Sequence, residues 1–229
     1  FPGLAPVPDK FRNPGWKWPS VLDDLAAQAA DELGPAPEVY FSKQHWAQET
    51  WLLKSPSIRV INSIRDIRDT IVSRYHHDMR VKQVPQMTIS EYLAEHGRVR
   101  VFSFCNYHAR WLDAPNMSAD NYHVAAYEHL TADLPGAASD LANFCGIPST
   151  PKCIEATANR TRFAEHKVKG PGEFFRKGQV GSFLDDLSPA EADQIVTWAK
   201  ELGLLSIKRR LADLRPTIAP FLAQTDCGL

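Results

Sequence analysis

The chain has 229 residues, 44% hydrophobic and 23% charged, with 26 Lys and Arg against 27 Asp and Glu for a net charge of −1. That length suits one domain, residues 1–229, with a sizeable core; the balanced charge excludes a chain-wide attraction to nucleic acid or anionic membrane and leaves room for a local basic pocket. Cys105, Cys145, Cys153 and Cys227 form no C-x-x-C pair, no apolar run approaches a membrane span and no signal peptide is visible, so idle thiols in a cytoplasmic protein are expected rather than a disulfide scaffold, a zinc site or a transmembrane segment.

Residues 1–19 are rich in Pro, Trp and Lys without a period and read as an irregular surface segment. Ser20 caps a predicted helix over 21–33, stopped by Gly34-Pro35. Glu38 to Ser42 reads as a short strand that delivers Lys43-Gln44-His45 at its carboxyl end, and 46–54 as helical or irregular. Ile58, Val60 and Ile61 are β-branched and suit a buried parallel strand ending at Asn62-Ser63. Ile67, Ile71, Val72 and Tyr75 then recur at helical spacing. Thr88 and Glu91 make a capping-box pattern opening a helix to about His96. A longer amphipathic helix is predicted over 98–112, carrying Val101, Phe102, Cys105, Tyr107 and Trp111. Asn121 to Tyr127 is a third strand candidate. Helices are expected over 137–144, closed by Gly146 and Pro148, and over 151–158. Residues 167–181 form a loop rich in glycine and lysine. Ser188 and Glu191, with Pro189 at the first helical position, predict a helix to about Leu202, and 207–214 adds another. Strands alternating with helices indicate an α/β fold, a parallel sheet flanked by helices.

The stretch from Ser57 to Met79 holds the chemistry. Arg65 falls at a strand's carboxyl end, where open α/β sheets place their ligands. Ser73 lies eight residues on, an axial offset of roughly 12 Å if all eight are helical, and a guanidinium arm spans most of that. The plainer alternative is that Arg65, Asp66, Arg68 and Asp69 are a solvated, salt-bridged helix start.

Three separated segments resemble one family in order. Lys43-Gln44-His45 resembles the lysine-x-histidine of sulfotransferases that use 3′-phosphoadenosine 5′-phosphosulfate (PAPS). Arg65 followed by Ser73, ahead of Tyr75-His76-His77, resembles their 3′-phosphate motif. Arg176-Lys177-Gly178-Gln179-Val180-Gly181 resembles their R-K-G-x-x-G loop, and Tyr127-Glu128 the Tyr-Glu that follows a strand in that fold. The resemblance implies a P-loop NTPase-like sulfotransferase fold and transfer of a sulfuryl group from PAPS to a hydroxyl or amine, with no metal. It implies that Arg65, Ser73, Arg176 and the backbone of Lys177 and Gly178 hold the 3′-phosphate. A phosphate monoester needs several charge-assisted donors, and arginine offers it a planar fork. Tyr127 would hydrogen-bond the adenine, with Thr161 and Phe163 beside it; half-buried packing is the alternative for Tyr127 and plain packing for Phe163.

His45 is the expected general base, since a neutral imidazole takes a proton near pH 7. Lys43, two residues away on a strand, faces the same side and would stabilise the transferring group. His76 and His77 carry no catalytic role in this reading. The family's phosphosulfate loop, of the form Pro-Lys-Ser-Gly-Thr-Thr-Trp, has no counterpart in residues 1–40 and is expected before Phe1, so the domain is expected to be incomplete at its N-terminus. Ser182-Phe183 replaces a frequent Asp-Trp, and the family's dimer signature is not recognisable over 185–191, so an oligomer has no support. The acceptor is a small molecule or glycan of unreadable class; no nucleic-acid partner is expected. The competing reading is a sulfotransferase-like nucleotide-binding or interaction domain without catalysis. A nucleotide kinase is disfavoured because no G-x-x-x-x-G-K-[ST] is present.

Overall fold

A computed structural model describes residues 59–81, 84–161 and 178–224. These fall into two compact units. The larger contains the described residues up to Ala132 and from Gln179 onward; the smaller contains Asp133 to Thr161 and Gly178.

The larger unit is built on two parallel strands, β1 (Val60–Ile64) and β2 (Tyr122–Ala126), in register from Val60 opposite Tyr122 to Ile64 opposite Ala126. All of β2 is buried, as expected of a parallel strand covered on both faces. The crossover between the strands carries α1 (Ile67–Arg80), a single turn α2 (Ile89–Tyr92), a π-helical turn (Leu93–Gly97) and α3 (Arg98–Leu112). After β2 comes the short α4 (Tyr127–Ala132). The chain re-enters this unit through a 3₁₀ turn (Ser182–Asp185), α7 (Pro189–Glu201), α8 (Leu204–Leu214), a second 3₁₀ turn (Pro216–Ile218) and α9 (Ala219–Gln224). The smaller unit holds α5 (Leu134–Cys145) and α6 (Pro151–Arg160). Helices against a parallel sheet make this an α/β fold. No helix among the described residues is long and apolar enough to cross a membrane.

Local chemistry explains most of these boundaries. Both capping boxes form, at Thr88 with Glu91 and at Ser188 with Glu191, each satisfying two orphan amides reciprocally. Helix α5 starts earlier than its apolar pattern suggests, because the Asp133 side chain caps it through the Gly136 amide. It ends on Gly146 at φ +67°, the left-handed turn glycine allows.

Four expectations need correction. Strand β1 does not stop at Asn62-Ser63 but runs to Ile64. Asn62 is buried there without an orphaned amide, its Nδ2 donating to the Tyr122 hydroxyl and to His108 Nδ1. The helix opened by Thr88 does not end near His96; a π turn carries it straight into α3. Gly97, the last residue of that turn, allows the Trp198 ring of α7 to pack close, since a Cβ there would lie 2.8 Å from it. Phe102, named with the apolar residues of α3, is 52% exposed; Val101, Cys105 and Trp111 are buried as expected, and His108 and Leu112 join them. Finally, Tyr127 opens a helix rather than ending a strand. The core of the larger unit joins Ile64, Ile71, Val101, Trp111, Val124, Ile195 and Leu211, which clamps β1 and its following helix in place. Cys105 and Cys153 are buried free thiols, and burial pushes Cys105 up to about 11.

Candidate functional site

The strand-to-helix join after β1 is where charge collects. Asp66 caps α1, accepting from the Arg68 amide at 2.8 Å and from Arg68 Nε at 3.0 Å. The Asp66 amide in turn donates to Glu128 Oε1 at 2.9 Å, so the Tyr127-Glu128 pair after β2 is tied to the join after β1. Asp66, Arg68, Asp69 and Glu128 are all buried. The solvated helix start offered by the sequence is therefore not what forms. Buried charges persist when pairing or hydrogen bonds answer them: Asp66 pairs with Arg68, Asp69 with Arg65, and Glu128 accepts the Asp66 amide.

The two arginines of the join do different work. Arg68 is consumed by structure, its guanidinium paired with Asp66 and lying 4.1 Å over the Phe183 ring. Arg65 is held on one side only. Its Nη2 donates to the Gln179 carbonyl at 2.9 Å and pairs with Asp69 Oδ2 at 3.0 Å, while its Cζ sits 4.3 Å above the Tyr127 ring. Its Nε is buried and, among the described residues, has no hydrogen-bond partner. A guanidinium fixed by three groups with a donor left over is prepared to receive an acceptor.

Asp69 is fully buried and links this arginine to the glycine loop. Its Oδ2 accepts the Gly181 amide at 2.9 Å, and its Oδ1 accepts the Ser182 hydroxyl at 3.0 Å and the Phe183 amide at 2.9 Å. Gly181 turns with φ +76°, which a side chain would resist. Tyr127 is half-buried; burial pushes its hydroxyl up while the nearby Arg65 charge opposes that. Burial likewise pushes the Glu128 carboxyl up, against the Asp66 amide that favours its charged form.

Of the residues singled out from the sequence, Arg65 and Tyr127 come together in direct contact. Ser73 is exposed on α1, one helical turn beyond Asp69. Thr161 and Gly178 belong to the smaller unit, Thr161 donating its hydroxyl to the Thr157 carbonyl at 2.8 Å and Gly178 adopting φ +64°. Lys43, His45, Phe163, Arg176 and Lys177 lie outside the described residues. His76 bridges to Asp186 at 2.8 Å, tying α1 to the turn after the glycine loop. Among the described residues, no group of three or more His, Cys, Asp or Glu side chains is arranged to hold a metal ion. The sequence placed Asp69 only in a solvated, salt-bridged helix start and gave it no part in the site. The signal available was an acid four residues after the strand-end arginine, at the spacing that lets the two pair on a helix.

Comparison with known proteins gives one answer. The family model described as a sulfotransferase domain matches residues 35–206. Sulfotransferase 6B1 of Danio rerio is 25% identical over 196 residues, covering 77% of this chain and 63% of its own length. Sulfotransferase 6B1 of Pan troglodytes is 23% identical over 159 residues, covering 65% and 52%. The chain thus spans roughly half to three fifths of the length of these curated relatives. Among solved structures, retinol dehydratase in complex with androsterone and the inactive cofactor PAP aligns with TM-score 0.55 and 20% identity over 66% of this chain and 48% of that one. Mouse sulfotransferase SULT7A1 complexed with PAP aligns with TM-score 0.54 and 20% identity over 63% and 58%. These structural likenesses establish the fold, the P-loop NTPase-like sulfotransferase type. The family match runs through both strands, the arginine join and the glycine loop, and the chain belongs to the sulfotransferase domain family.

Proposed function

We propose that this chain binds PAPS and serves transfer of its sulfuryl group to a hydroxyl- or amine-bearing small molecule or glycan, leaving 3′-phosphoadenosine 5′-phosphate. The observation that carries the reading is Arg65, pinned by Asp69, Gln179 and Tyr127 with its Nε unpartnered among the described residues. Its position just past a parallel strand is where such sheets receive ligands. In this reading the Arg65 guanidinium and the Ser73 hydroxyl hold the 3′-phosphate together with Arg176 and the backbone of Lys177 and Gly178. Tyr127 sits beside the adenine, with Thr161 and Phe163. The group supplies an activated sulfuryl on a good phosphate leaving group.

The remaining work falls to the chain. His45 takes the acceptor proton, and Lys43 offsets charge near the transferring group. The single-domain organisation over 1–229 and a cytoplasmic location belong to the same proposal, the latter supported by the buried thiols of Cys105 and Cys153. Retinol dehydratase is crystallised with androsterone in one structure and with retinol in another, which favours small-molecule acceptors here.

The test is a calorimetric titration of the chain with 3′-phosphoadenosine 5′-phosphate (PAP) and with adenosine 5′-phosphate. PAP should bind at least about tenfold more tightly, the worth of a charge-assisted pair. Arg65→Ala should erase most of that margin. Equal affinities in the unaltered chain would sink the reading.

A further inference from the structure

Asp69 receives four donors and has no exposed surface. They are divided two to each oxygen. Oδ2 takes Arg65 Nη2 and the Gly181 amide; Oδ1 takes the Ser182 hydroxyl and the Phe183 amide. One carboxylate therefore sets the orientation of the strand-end guanidinium and the path of the chain as it leaves the glycine loop, although the two are more than a hundred residues apart in sequence. Gln179 closes the circuit, its carbonyl accepting from the same Nη2 that pairs with Asp69. These contacts engage Nη2, while Arg65 Nε has no hydrogen-bond partner among the described residues.

We propose that Asp69 is a positioning residue for 3′-phosphate recognition: it presets Arg65 and the Gly181–Phe183 segment as one unit, so that selectivity for a 3′-phosphorylated nucleotide depends on a carboxylate that does not itself touch the nucleotide. The proposal rests on the PAPS reading above. It has a specific chemical consequence. An asparagine at this position keeps the shape but turns one oxygen into a donor. With the amide nitrogen toward Arg65 Nη2 and the Gly181 amide, both bonds there are lost; with it toward the other side, the Ser182 hydroxyl can turn to accept, the Phe183 amide loses its acceptor, and in either placement Arg65 loses its anionic partner.

The experiment titrates PAP and adenosine 5′-phosphate into the unaltered chain, Asp69→Asn and Ser182→Ala. Asp69→Asn should lower PAP affinity by about tenfold or more while changing that for adenosine 5′-phosphate less than about twofold, since charge-assisted contacts dominate only the first. Ser182→Ala removes one of the four bonds without introducing a donor and should lower PAP affinity by about threefold, again with little effect on adenosine 5′-phosphate. Should Asp69→Asn fail to fold, Ser182→Ala carries the test alone. Equal losses for both nucleotides, or no loss in a folded variant, would overturn the role given to Asp69 while leaving the PAPS reading intact. An unaltered chain that does not distinguish the two nucleotides would overturn both.

Discussion

Helix α1 buries a carboxylate toward each end, and the two are used differently. Asp69, in the first turn, sits where the helix dipole favours an anion, and its partners include two backbone amides and a hydroxyl from the segment after the glycine loop. Asp78, near the last turn, sits where the dipole opposes an anion, and side chains alone answer it among the bonds described. The Tyr92 hydroxyl donates to it at 2.8 Å, Arg100 Nη2 at 2.7 Å, and Arg74 Nε pairs at 2.7 Å. Burial, with Asp78 adding to it, pushes Tyr92 up to about 12, so its hydroxyl keeps the proton it donates. Arg100 Nε is also engaged, donating to the Tyr92 oxygen. At Asp78 the partners are the side chains of Tyr92, Arg100 and Arg74, whereas at Asp69 one arginine is joined by the Gly181 and Phe183 amides and the Ser182 hydroxyl. Two acids of equal burial on one helix thus differ in what they join: Asp78 gathers side chains of the helical crossover, and Asp69, in the proposed reading, ties the strand-end arginine to the segment after the glycine loop.

The largest test of that separation is Asp78→Ala. It leaves two arginines and a phenol facing a buried vacancy, and should cost about 3–5 kcal/mol of stability in urea unfolding, with the ratio of PAP to adenosine 5′-phosphate affinity moving less than twofold in folded protein. A large change in that ratio would erase the distinction between the two ends of the helix.

A smaller effect isolates a third buried polar group, one that neither aspartate touches among the described bonds. His108 is sealed in the core beside Asn62, and burial pushes it down to about 4. The unfolded chain protonates this imidazole near its ordinary 6.5 as pH falls, while the folded chain does not. Stability is therefore whole above pH 6.5 and falls between 6.5 and about 4, by about 3 kcal/mol for this displacement. His123, also pushed down to about 4 by burial with Arg215 and His129 adding to it, acts in the same direction. Unfolding followed across that window should show His108→Gln to be flatter than the unaltered chain; an unchanged slope would remove His108 from the acid response.

What the sequence made legible was local. Thr88 with Glu91, and Ser188 with Glu191, announce helix starts because both partners of each box lie within one turn. Arg65 and Tyr127-Glu128 were legible because each follows a short β-branched or apolar run that marks a strand end. What stayed hidden depends on partners far along the chain. Asn62 reads as a break, yet it belongs to a strand because His108 and Tyr122 satisfy it. The helix from Thr88 reads as ending near His96, yet the helical path continues through Gly97, where Trp198 packs close. Asp69 reads as one more surface charge because its loop partners come more than a hundred residues later. The family's arginine and glycine motifs were readable as separate fragments, while the carboxylate that joins them was visible only in three dimensions.

The most direct measurement of the central claim follows the Arg65 side-chain N–H resonances by nuclear magnetic resonance, assigned by comparison with Arg65→Lys, as each nucleotide is added. Direct recognition of the 3′ group predicts a large shift of these signals with PAP and little movement with adenosine 5′-phosphate at matched occupancy. Arg65 signals that stay still while PAP saturates the chain would contradict it.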